Sequence, residues 1–181
     1  MQLTETGKLV YHLNRFLPDD IAIQKIRKVD SDFHARFSAI SRTYKYFIST
    51  EKNPFQTETT FLYTGFLDVD KMNEAARVLF YYHDFTSFSK MHTDVKTNNC
   101  KIYEAAWKQE NKQLVFTIKA DRFLRNMVRA IVGTLLEVGK GKITTDDFKN
   151  IIEKQDRGAA GTSVPPQGLF LVDIEYNGEN A

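Results

Sequence analysis

Apolar and polar positions alternate best along residues 42 to 48. Arg42, Tyr44, Tyr46 and Ile48 fall on one side and Thr43, Lys45 and Phe47 on the other. A period of two is the signature of a strand with two distinct faces. The same period recurs in "KIYEAAW", with Tyr103, Ala105 and Trp107 on one side, and in "LVFTIKA", with Leu114, Phe116, Ile118 and Ala120 on one side. "QENKQ" between them predicts a hairpin turn. "LFLVDIEY" predicts a last strand with Phe170, Val172, Ile174 and Tyr176 on one face, and "IAIQKIRKV" reads as a further strand near the start.

The period lengthens elsewhere. "FLDVDKMNEAARVLFYYHD" predicts a helix capped by Asp68 or Asp70, with Met72, Ala75, Ala76, Leu79 and Phe80 sharing a face. "RFLRNMVRAIVGTLLEVGKG" carries the strongest helical signal, since Phe123, Met127, Ile131, Leu135 and Val138 recur every three or four residues before Gly139 and Gly141. "TTDDFKNIIEKQD" predicts a shorter helix capped by Thr144 or Thr145. Pro18 with Asp19 and Asp20, and Asn53-Pro54, mark turns. "DFTSFSKMHTDVKTNNC" reads as a surface loop anchored by Phe85 and Phe88, and residues 157–168 as a long loop. Strands running together with helices between and after them predict an α+β fold, a mostly antiparallel sheet with helices on one face.

Composition adds bounds. The 181 residues suit one domain, and 42% hydrophobic with 27% charged residues allows a sizeable core and a soluble surface. A net charge of +2 permits an anionic partner without demanding one. The single cysteine, Cys100, cannot form an internal disulfide. No signal-peptide pattern and no long apolar run is present, so a cytoplasmic protein is expected. His12, His34, His83 and His92 are not spaced for shared ligation, and no metal site is expected. No glycine-rich phosphate loop or nucleophile elbow occurs.

Two features carry chemistry. Arg122, Arg125 and Arg129 fall at i, i+3 and i+7 of the strongest helix, a stripe suited to phosphates or a carboxylate, or else a solvated basic face. Arg129 differs from the others, because Val128, Ala130 and Ile131 flank it, and a guanidinium drawn inward needs a partner. "FHARFSAISRTYKYF" sets Arg36, Arg42 and Lys45 among five aromatic rings. Such a surface can stack unpaired bases and hold phosphates. It can also be a strand whose tyrosines pack inward with hydroxyls at the rim.

Taken in order, "FHARFSAISRTYKYFI", "DFTSFSK", "FLRNMVRAIVGTLLEVGKG", "AGTSVPPQG" and "GLFLVDIEY" closely resemble the TruA family of tRNA pseudouridine synthases. The resemblance runs from about Leu17 to Tyr176. It implies an isomerase that flips a uridine out of the tRNA anticodon stem-loop, breaks its bond to ribose at N1 and rejoins it through C5, without cofactor or metal. It implies a homodimer. By the same resemblance Tyr44 stacks on the flipped base and is a candidate to move the C5 proton, and Arg129 pairs with a nucleophilic aspartate. Arg36, Arg42, Lys45, Lys90, Arg122 and Arg125 are candidate RNA contacts.

The family's aspartate lies in an R-T-D-A-G-V-H-A motif upstream of "FHARF", and this sequence has no such motif. Asp19 and Asp20 match the family's "LPDD" turn instead, and Asp121 reads as a helix cap. The expectation is therefore a single domain, the C-terminal portion of a two-domain synthase, inactive without the aspartate. The alternatives are a stand-alone RNA-binding module and a structural or dimerisation domain. The last requires Tyr44 to be buried and Arg42 and Arg129 to meet internal carboxylates.

Overall fold

The computed structural model describes residues 5–90 and 96–177, so His92 lies outside the described residues. The described chain divides into two compact units, broken after Ser38.

The first unit contains helix α1 (Glu5–Phe16), over the partly apolar stretch at residues 9–17, and buries none of its residues. Asn14 pins the following segment to the helix. Its side chain donates to the Ile23 carbonyl at 2.8 Å and accepts from the Ile23 amide at 2.7 Å. Residues 21–29, expected as a strand, join no ladder. Their apolar residues have no neighbouring strand among the described residues, and an extended segment without a ladder partner is not a strand.

The second unit is built on a mixed, mostly antiparallel sheet. Its centre is β1 (Ala39–Ser49). The strand β4 (Gln113–Ala120) lies along one edge of β1, from Arg42 opposite Ala120 to Ser49 opposite Gln113. Beyond it runs β3 (Ile102–Glu110). On the other edge lie antiparallel β5 (Leu169–Tyr176) and the two-residue parallel strand β2 (Phe61–Leu62). One face of the sheet is the core: Tyr46, Ile48, Trp107, Phe116 and Ile118 pack with residues of α2 (Val69–Val78), α3 (Met127–Gly139) and α4 (Thr145–Glu153) in one cluster. The opposite face carries Thr43, Lys45 and Phe47, none fully buried. There Glu175 bridges Ser41 and Lys119 at 2.6 Å each. Among the described residues no helix is long and apolar enough to cross a membrane.

Several elements depart from their sequence pattern, each for a local reason. The α2 helix, capped by Asp68, gives way after Val78 to a 3-10 turn, so Phe80 is exposed rather than packed beside Met72. In β5 a bulge opposite Thr43 and Tyr44 breaks the alternation. Phe170 pairs with Lys45 and Ile174 with Arg42, which puts the two on opposite faces. A similar irregularity at the start of β3 leaves Tyr103 exposed while Ala105 and Trp107 are buried.

The largest difference concerns the strongest helix. Residues 122–126 are not helical, and α3 begins only at Met127. Asp121 does not cap it. Its Oδ1 accepts from the amides of Lys101 and Arg122, both at 2.7 Å, and so closes the turn leaving β4. Asn126, at φ 69°, then reverses the chain into the helix. The three arginines therefore do not form one helical stripe.

Candidate functional site

The loop between α4 and β5 sets the site, and it lies directly on α3. A Cβ on Gly133 would stand 1.9 Å from the Thr162 carbonyl oxygen, so only glycine admits this approach. The Gly161 amide donates to Thr134 Oγ1 at 3.0 Å and the Val164 amide to the Arg129 carbonyl at 3.2 Å. The Tyr46 hydroxyl donates to the Pro165 carbonyl at 2.8 Å. Short 3-10 turns, Arg157–Ala159 and Pro166–Gly168, bracket the stretch.

Between this loop and the start of α3 lies a cleft of about 870 Å³, lined by Lys90, Arg125, Asn126, Arg129, Arg157, Pro166 and Leu169. Four of these are cations and none is acidic. The Arg129 Nε–H donates to the Val164 carbonyl at 2.7 Å. Its two Nη groups have no partner among the described residues, so the guanidinium is aimed by one bond and keeps its fork for another group. Its charge is felt at Tyr46: burial pushes that phenol's pKa up, and Arg129 partly offsets the rise. Arg125 is exposed, and its side chain has no partner among the described residues.

Tyr44 sits two residues before Tyr46 on the same sheet face, half-buried, with its ring edge-on to Phe123 at 5.1 Å. It pairs with Leu171 on β5 and Ile118 on β4. The β1 strand thus puts Tyr44 on the side of the sheet that carries Tyr46 and Leu169; Leu169 lines the cleft, and Tyr44 is not among its lining residues.

The other candidates are dispersed. Arg42 is half-buried, and its Nη1 donates to the carbonyls of Ala39 at 3.0 Å and Asp121 at 2.6 Å. Arg122 Nη1 reaches the Thr97 carbonyl at 3.4 Å. Lys45 projects from the sheet face opposite Tyr44. Arg36 belongs to the first unit, with its guanidinium 5.5 Å from the Phe37 ring centroid. Arg42 and Arg129 thus each donate to backbone carbonyls.

Arg157 and Asn126 line the cleft without having been singled out in the sequence. The signal available was an arginine opening a loop that holds three glycines and two prolines, and it says nothing about what the loop packs on.

A sequence profile described as tRNA pseudouridine synthase matches residues 75–177. A tRNA pseudouridine synthase A of Parabacteroides distasonis is 62% identical over 173 residues, covering 94% of this chain and 69% of the relative. That of Bacteroides fragilis is 60% identical over 173 residues, covering 95% of this chain and 69% of its own. The more distant one of Bacillus subtilis is still 44% identical over 169 residues, covering 92% and 68%. The chain therefore spans about 69% of the length of such relatives. Identity at this level, over nearly the whole chain, shows that the chain belongs to the tRNA pseudouridine synthase family.

Proposed function

We propose that this chain supplies the base-stacking and cationic half of an active site that converts uridine to pseudouridine in the tRNA anticodon stem-loop. The observation that carries the reading is Arg129, held by the Val164 carbonyl with its fork unpaired in a cleft that three other cations line. A carboxylate is the natural partner of such a fork. The nucleophilic aspartate belongs, on this reading, to the part of the relatives' length that this chain does not span. Tyr44 stacks on the flipped uracil, replacing the neighbours it leaves in the RNA. In the reaction the C1′–N1 bond breaks, the base turns, C1′–C5 forms, and the C5 proton leaves as N1 gains one. No oxidant or second substrate is consumed.

Arg125 and Lys90 face the RNA backbone in this scheme. Arg42, engaged with two carbonyls, serves the fold of the β1–β4 corner, and Lys45 stands away from the reacting base. The full-length protein is read as a cytoplasmic homodimer, an inference from family membership.

The test is tritium release from C5-tritiated uridine in tRNA. This chain alone is expected to release none, and activity is expected once the missing segment is supplied. Release by the chain alone would mean that a carboxylate within these residues does the chemistry. Failure of the complemented protein to act on tRNA would overturn the reading.

A further inference from the structure

Ser163 is the meeting point of two cleft residues. Asn126 Nδ2 donates to its hydroxyl oxygen at 2.6 Å, and Arg157 Nη2 donates to the same oxygen at 2.9 Å. A serine oxygen offers two lone pairs, so both are engaged. Arg157 Nη1 also points at the carbonyls of Gly161 at 3.3 Å and Ala160 at 3.5 Å. One guanidinium therefore spans the loop from its first turn to its middle.

Asn126 is the other end of this chain of bonds. It holds a left-handed backbone at the start of α3, and its side chain makes no capping bond to that helix. An asparagine at a helix start ordinarily spends its side chain on the first-turn amides. Here the side chain reaches across to the loop. Asn126 follows Arg125 directly, and Ser163 precedes Val164, whose carbonyl holds Arg129 Nε at 2.7 Å. The bonds thus tie the backbone that launches Arg125 to the backbone that aims Arg129.

We propose that Arg157, Ser163 and Asn126 form a clasp that positions the Arg129 guanidinium for the isomerisation, acting through the Val164 carbonyl. The proposal rests on the role given to Arg129 above. The three are positioning residues. The loop's attachment to α3 and β1 does not depend on Ser163, since Gly161–Thr134, Val164–Arg129 and Tyr46–Pro165 bonds secure it independently. Loss of the hydroxyl therefore loosens the aim of Arg129 while leaving the loop docked.

The variants are Ser163→Ala and Ser163→Thr, the second keeping a hydroxyl. In this chain by itself, the readout is exchange of the Arg129 Nε proton followed by NMR. Ser163→Ala is expected to speed it by about tenfold, with the melting temperature changed by no more than roughly 3 °C. In the complemented synthase, kcat is expected to fall by about tenfold, with KM for tRNA changed less than about twofold. Ser163→Thr is expected to restore both. Unchanged Nε exchange in Ser163→Ala overturns the clasp, as does wild-type kcat in that variant. A loss that Thr does not rescue, accompanied by a matching fall in melting temperature, also overturns it. If the complemented wild-type protein shows no turnover, the proposed function falls, and the exchange measurement still decides the clasp.

Discussion

Arg125 and Lys45 show how little charge alone says about a residue. Both are cations in motifs shared with the family, yet Arg125 lines the cleft and Lys45 stands on the opposite face of the sheet from Tyr44. Replacing a phosphate-contacting cation removes about one unit from the dependence of log affinity on log salt. For tRNA binding by the complemented synthase, Arg125→Ala is expected to lower that slope by roughly one, and Lys45→Ala to leave it unchanged. The reverse result would move the RNA to the other face. Arg129 was legible as unusual because apolar neighbours flank a cation on a helical pattern. Arg157 was not, because its partners are a hydroxyl and two carbonyls in its own loop, and local sequence does not say how that loop curls. Arg42 shows a different limit: its place beside aromatic residues suggests RNA, and no pattern along the chain encodes the two carbonyls that its Nη1 meets.

Helix α4 is the element whose sequence and structure agree most closely. Thr144 accepts from the Asp147 amide at 3.1 Å, and Asp147 accepts from the Thr144 amide at 2.9 Å, a reciprocal capping box. Thr144→Ala is expected to cost about 1 kcal/mol in denaturant unfolding. The Thr144 amide, then its hydroxyl, holds the Asp147 carboxyl below its usual range. A group whose pKa is depressed on folding contributes stability above its unfolded pKa and loses it as pH falls through the folded value. Asp147→Asn is therefore expected to flatten the acid side of the stability–pH curve, at pH below about 4, and to do little at neutral pH beyond weakening the cap. Helix α3 shows the contrary case. Its periodicity is sound from Met127 onward, but the same periodicity ran back through Phe123, which instead packs on Tyr44 from a non-helical turn. A period reports which residues face the core; it does not report whether the backbone between them is helical. Gly133 marks where this helix meets the loop. Gly133→Ala drives a methyl into the Thr162 backbone and is expected to destabilise by about 1–3 kcal/mol or more. A variant as stable as the parent would mean that the loop is not seated on α3.

On the scale of the whole molecule, the sheet is uneven at its borders. Among the described residues β5 pairs only with β1, and Leu171 and Val172 are each 46% exposed there. Beside them an open groove of about 430 Å³ runs past Phe47 and Phe170. Exposed strand edges with apolar side chains attract further strands. The chain by itself is expected to self-associate in sedimentation experiments, and Leu171→Lys to reduce that association. A strictly monomeric parent chain would show that this edge is guarded in some other way. The sequence by itself determined the α+β class, the central strand, the hairpin, the three helices of the second unit in outline, and family membership, because each rests on patterns local in the chain or on ordered motifs. Tertiary structure decided the rest. The β5 register turns on a bulge against β1, the failure of residues 21–29 to be a strand turns on a missing ladder partner, and the membership of the cleft turns on a loop folded onto α3. These are contacts between residues far apart in sequence, and no periodicity along the chain encodes which of them are made.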